Sequence, residues 1–173
     1  MDYIEKRKRD NKKGKESEEL FERLMNKEGH VCLHSTKSQN KQEHWDFCVV
    51  TEGIFDKIDV KSMKEATADG RTWFELQNNS GGIGWGKCEF LNTIAFEQED
   101  CFEFVNRVEL LKIVEKKVEE EDQRVGEKDI YYVLKESLKD YQRYRRLFWG
   151  HDDRVVKVPF ADFQHLIYKK LYK

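Results

Sequence analysis

Trp45-Asp46-Phe47-Cys48-Val49-Val50-Thr51-Glu52-Gly53-Ile54-Phe55-Asp56-Lys57-Ile58-Asp59-Val60-Lys61 is the stretch on which the fold turns. Two runs rich in β-branched and aromatic residues flank Glu52-Gly53, a pair suited to the two central positions of a tight hairpin. With that pair at the turn, the register sets Asp46 opposite Asp59 and His44 opposite Lys61. Opposed residues on an antiparallel pair share one face, with Cβ atoms roughly 4.5–5.5 Å apart. Phe47, Val49, Ile58 and Val60 then point to the other face, so one side of the hairpin is core and the other collects charge.

Two carboxylates held that close repel unless a proton or a cation sits between them, and their oxygens are the ligands that Mg²⁺ and Mn²⁺ prefer. Lys61 lies on the same face two residues after Asp59, where its ammonium would neutralise a phosphate oxygen or position an attacking water. An isolated D-x-K is common by chance and is usually an ordinary solvated face. The ordered set matters here: an upstream Asp in register, and a helix ahead of it with a well-placed Glu.

That helix runs over Glu16–Lys27, where Leu20, Phe21, Leu24 and Met25 make one apolar face and Gly29 is placed to stop it. At about 100° per residue, Glu18 lies about 90° from the apolar centre, Glu22 about 130° and Glu19 about 170°. Glu18 therefore borders the buried face, and Glu19 points to solvent. Strands are expected at Val31–Leu33, Trp45–Val50, Ile54–Lys61, Thr72–Gln77, Thr93–Glu97 and Phe102–Val105. Glycines 81, 82, 84 and 86 around Trp85 mark a loop. Val108, Leu111, Val114 and Val118 predict a helix over Arg107–Glu120, with residues 119–129 a mobile acidic loop. A helix is expected over Ile130–Tyr144, a strand at Val155–Val158, and a final helix over Phe160–Leu171 behind Pro159.

Gly14-x-x-x-Glu18 opening a helix, then Asp46, then Asp59-Val60-Lys61 on the next strand, resembles the PD-(D/E)XK nuclease superfamily. The helix-strand order is similar to its Holliday-junction-resolvase branch and to small phage-encoded nucleases. The resemblance covers residues 14 to about 96, and it departs from the pattern at Trp45, which stands where the family has proline. It implies a restriction-endonuclease-like α/β (α+β) core, a mixed central sheet flanked by helices. It also implies that Asp46, Asp59 and Glu18 bind Mg²⁺ or Mn²⁺ and that Lys61 assists the water. The Trp73–Gln77 strand lies where simpler relatives go straight into a helix, and Glu75 and Gln77, like His44, are candidates to line the site, a polar strand edge being the plainer reading for Glu75 and Gln77.

At 173 residues the chain suits a single domain, 1–173, and 38% charged residues are balanced by 11 Phe, 7 Tyr and 4 Trp that supply core area. No apolar run spans a bilayer and the N-terminus is charged, so a cytoplasmic protein without membrane contact is expected. Cys32, Cys48, Cys88 and Cys101 form no CxxC pair and are expected to be reduced. His30, Cys32 and His34 alternate as zinc ligands on one strand face would, though ordinary packing explains them as well. The net charge of −2 argues against a non-specific coat for nucleic acid, but residues 1–15 form a basic segment that includes Lys8, Arg9, Lys12 and Lys13. Arg143, Arg145 and Arg146 with Tyr141, Tyr144 and Trp149 make a second basic, aromatic cluster; phosphate contact weighs equally with a solvated end in the first place, and phosphate contact with base stacking weighs equally with a surface helix packing its aromatics inward in the second.

Two functions follow. One is a divalent-metal-dependent nuclease acting on DNA rather than RNA, where pairing as a homodimer would let it cut both strands. The other is a catalytically silent module on the same fold that binds nucleic acid or protein.

Overall fold

A computed structural model describes residues 3–62, 70–78, 81–125, 140–148 and 151–173. They fall into two compact units, one built from Met1–Glu65, Phe90–Asn106 and Ile167–Lys173, the other from Ala66–Glu89 and Arg107–Leu166.

The first unit is a six-stranded mixed sheet with helix α1 (Tyr3–Lys27) packed on it. Its strands are β1 (Val31–His34), β2 (Phe47–Thr51), β3 (Ile54–Lys61), β5 (Thr93–Glu97), β6 (Cys101–Asn106) and β9 (Ile167–Tyr172), side by side in that order. All neighbours are antiparallel except β3 and β5, which run parallel. The α/β class read from the sequence is the one observed.

The hairpin has the expected register, with Phe47 opposite Ile58 and Thr51 opposite Ile54. Glu52 and Gly53 both take positive φ, 50° and 82°, the twist that a two-residue turn needs to match the strands. Phe47, Val49, Ile58 and Val60 join Phe21, Leu24 and Met25 of α1 in one core with Phe102, Phe104 and Leu171. Phe21 is its centre, stacked on Phe47 at 5.5 Å and edge-on to Phe102 at 5.4 Å. Gly29 closes α1 at φ 85°, where the His30 and Gly29 N–H groups cap the carbonyls of Met25 and Asn26.

The second unit holds an antiparallel sheet of β4 (Arg71–Gln77), β8 (His151–Pro159) and β7 (Arg143–Phe148), in that spatial order, together with α3 (Arg107–Val125). Phe74 packs on Trp85 with ring centres 4.7 Å apart. Gly84 passes so close to β4 that a Cβ there would lie 2.5 Å from the Glu75 carbonyl oxygen.

Five expectations are corrected. The basic segment 1–15 is not an arm ahead of the helix, because α1 already begins at Tyr3; Lys and Arg are good helix formers, and Lys12–Glu16 and Lys15–Glu19 pairs carry the helix across Gly14. The acidic stretch from 119 continues α3 to Val125, helped by Lys117–Glu120 at 3.2 Å, by Asp122 against Arg143 at 2.8 Å, and by Glu121 accepting from Gln142; 126–129 lie outside the described residues. Of the helix expected at Ile130–Tyr144, residues 130–139 lie outside the described residues, and Arg143 and Tyr144 begin a strand. Phe160–Leu171 makes two short 3-10 turns and then β9, because the open edge of β6 offers backbone partners that outweigh local helical spacing. A short helix, α2 (Lys37–Glu43), stands where none was expected, started by a capping box between Thr36 and Gln39.

Candidate metal and phosphodiester site

The C-terminal ends of β1 and β3 and the N-terminal end of β2 meet at one end of the first sheet. The β2–β3 ladder stops at Phe47–Ile58, yet the Asp46 N–H still donates to the Ile58 carbonyl at 2.9 Å. One step further the side chain takes over: Asp46 Oδ2 accepts the Val60 N–H at 2.8 Å, where a strand would offer its own carbonyl. Asp46 Oδ1 accepts from Asn40 Nδ2 at 2.7 Å, and the same amide donates to the Trp45 carbonyl at 3.3 Å. Helix α2 thus holds Asp46 from one side and β3 holds it from the other.

Asp59 is 5% exposed, and Lys61 Nζ touches its Oδ2 at 2.5 Å. The buried Oδ2 meets that ammonium as an ion pair, without hydrogen-bond geometry to a partner among the described residues. Burial, and next the charge of Asp59, push the Asp46 carboxyl up to about 8, against the opposing pull of Lys61 and the Val60 N–H. Glu18 on α1 is also raised, by burial first and by Asp59 second, while Lys61 and His34 pull it down. Glu18, Asp46, Asp59 and Lys61 are therefore one electrostatic group. Glu19 points away and pairs with Lys15 at 3.5 Å, as the helix geometry requires.

A hard divalent cation fits the chemistry of this group: carboxylate oxygens that repel one another, one of them buried against the Lys61 ammonium. Among the described residues, no three His, Cys, Asp or Glu side chains are gathered closely enough to hold an ion. Asp46, Asp59 and Glu18 are the residues that would bind it, and they would have to draw together to do so.

No family model, curated protein or solved structure matches the chain.

The remaining candidates divide. His44 is not opposite Lys61: it ends α2 in the left-handed region at φ 54°, its N–H bonded to the Asn40 carbonyl, and Lys61 pairs instead with Phe96 of β5. Glu75 and Gln77 belong to the second unit, where Glu75 accepts the Trp85 N–H at 3.3 Å. Lys8, Lys12 and Lys13 are exposed on α1, and Arg9 approaches Asp10 at 3.8 Å. Arg143 is paired with Asp122, Arg145 and Arg146 follow it on β7, and Trp149 lies outside the described residues. Tyr141 and Tyr144 are buried and bonded to Asp162 and Gln142, so they do not present rings for stacking. His30 meets Thr51 and His34 meets Glu22, while Cys32 packs against the core, as the ordinary-packing reading expects. Among the described residues no helix is long and apolar enough to cross a membrane.

Two features are absent from the sequence reading: the role of Asn40, for which the Thr36-x-x-Gln39 capping box was the available signal, and the pairing of Glu22 with His34, for which the signal was Glu22 standing one helical turn after Glu18.

Proposed function

We propose that this protein is a divalent-metal-dependent nuclease that hydrolyses phosphodiester bonds of DNA. The observation that carries the reading is the mutual repulsion of Asp46, Asp59 and Glu18 beside Lys61 at one end of the sheet. The resemblance of the same four residues to the PD-(D/E)XK pattern supports it. When bound, Mg²⁺ or Mn²⁺ would neutralise charge on the phosphate and lower the pKa of an attacking water. Asp46, Asp59 and Glu18 would hold the cation. Asn40 and Val60 fix Asp46 before any ligand arrives, which lowers the cost of organising the site. Lys61, freed from Asp59 once a cation shares that carboxylate, would present its ammonium to a phosphate oxygen or to the water.

Supercoiled, linear, branched and single-stranded DNA, and RNA, are to be incubated with the protein and each metal, with and without chelator. Cleavage that is lost with chelator and in Asp59→Asn supports the reading. No cleavage of any substrate favours the silent binding module, for which the occupied Asp46 oxygens and the ungathered carboxylates speak.

A further inference from the structure

Along β3 the side chains of Phe55, Lys57, Asp59 and Lys61 alternate with Ile58 and Val60, which lie in the α1 core, so these four share the opposite face of the sheet. Phe55 is 66% exposed there. A second ring joins it from the segment ahead of β5. Leu91 is buried, and Asn92 is bonded to Lys57 twice: its N–H donates to the Lys57 carbonyl at 3.1 Å, and its Oδ1 accepts the Lys57 N–H at 3.2 Å. With the chain anchored on both, Phe90 stands out at 58% exposure. Lys57 Nζ lies 5.4 Å from the centre of the Phe90 ring, which brings that ring to the same face. Glu43 at 2.7 Å offsets the charge of Lys57, and Asp59 offsets that of Lys61. The strip that leads along β3 to the candidate site is therefore aromatic and close to neutral.

We propose that this strip seats unpaired bases of the nucleic-acid strand that runs into the site, so that the substrate is single-stranded beside the cut. The occupant rests on the nuclease reading above, and the choice of unpaired bases on the strip itself. A duplex turns its phosphates outward and keeps its base faces within the stack, so it offers little to an aromatic, neutral surface. An unpaired base exposes a π-face, which stacks on an aromatic ring whatever the base. Same-face neighbours on a strand are roughly 7 Å apart, close to the span of one nucleotide in an extended single strand. Phe55 is two such steps from Asp59 on β3, so a base on its ring belongs to a nucleotide near the scissile phosphate. The exposed lysines of α1 would attract the phosphates of any strand, whereas Phe55 and Phe90 would tell unpaired strands from paired ones. Both are binding residues, which set what enters the site and not how it is cut.

Fluorescence anisotropy in chelator measures binding without cutting. The whole protein is titrated into labelled oligothymidylate and into a blunt duplex of equal length, with Phe55→Ala, Phe90→Ala and Phe90→Trp beside the wild type at matched thermal stability. The wild type should prefer the single strand by about tenfold or more, and each alanine should lower single-strand affinity by about tenfold. Duplex affinity and the slope of log affinity against log salt should stay as they are, because no phosphate contact is removed. Phe90→Trp should keep or tighten single-strand binding, with its added indole emission quenched at saturation. Equal affinity for the two DNAs, or alanine losses that are equal on single strand and duplex, would overturn the proposal. So would alanine variants that bind the single strand as the wild type does but sediment as monomers where the wild type is a dimer, which would make the strip a contact between copies of this chain. Rings that matter to single-strand binding in a protein that cuts nothing with Mg²⁺ or Mn²⁺ leave the strip standing and remove the nuclease reading. Metal-dependent cutting and single-strand binding that are both indifferent to the two rings do the reverse.

Discussion

Asp46 and Val60 are joined across the hairpin by a 2.8 Å hydrogen bond from backbone N–H to carboxylate, and Val60 is the residue between Asp59 and Lys61. One side chain therefore fixes both its own position and the local path of the strand that carries the other two site residues. The same bond favours the charged carboxylate, yet burial and Asp59 outweigh it and hold the group protonated up to about 8.

The pH dependence of stability follows from this. Folded Asp46 keeps its proton to about pH 8, whereas its ordinary value is 3.8, so between these values the folded state binds the extra proton and loses stability as pH rises. In chelator, Asp46→Asn should match the wild type near pH 4 and be the more stable of the two at pH 8, with the higher Tm. Thermal melts across that range check it, and a variant less stable at pH 8 would refute it.

Metal binding should appear as stabilisation independent of any substrate. Mn²⁺ at about 100 times its Kd would raise stability by about 2.7 kcal/mol, and chelator would reverse it. Asp59→Asn should fold and show little of that rise. An equal Tm rise in wild type and variant would place the ion elsewhere.

Glu18→Gln should weaken metal affinity or activity at limiting Mg²⁺, about tenfold, whereas Glu19→Gln should leave both nearly intact. Side-by-side titrations at matched thermal stability decide it. A selective loss in Glu19→Gln would contradict the rotation of α1 seen here.

Lys8→Gln, Lys12→Gln and Lys13→Gln together should lower nucleic-acid affinity and flatten the slope of log affinity against log salt by up to about 2.7, without moving the cut. Fluorescence anisotropy across salt concentrations measures the slope. An unchanged slope would make this face of α1 a solvated surface only.

In the second unit, Gly84→Ala should destabilise by about 1–3 kcal/mol, because the new Cβ meets backbone that cannot swing away as a side chain would. Chemical denaturation gives the value. A neutral substitution would mean that the loop relaxes away from β4.

The hairpin and the place of Glu18 were legible because both rest on short-range rules. A two-residue turn fixes register, and helix periodicity fixes which Glu borders the core. Helix α2 was not legible from periodicity, since Lys37–Glu43 has no apolar stripe and buries none of its residues. Pairing of β4 with β8 and of β6 with β9 joins segments far apart in sequence, and no local pattern announces such partners. His44 leaves the hairpin register because the Asp46 side chain replaces the ladder just ahead of it and α2 ends on His44 itself. The gathering of Glu22 with His34 needed α1 to be laid on β1 before it could be seen.

Strand β9 belongs to the first unit, yet it follows the second unit's entire chain in sequence. A ribosome must therefore finish the second unit before the first can complete its sheet. Until then β6 keeps an open edge and the Phe21 cluster lacks Leu171, so the nascent first unit is exposed to pairing with another chain. Pausing translation between β6 and β9 should lengthen the time the nascent chain spends bound to chaperones, even though every residue of the candidate site has already been made.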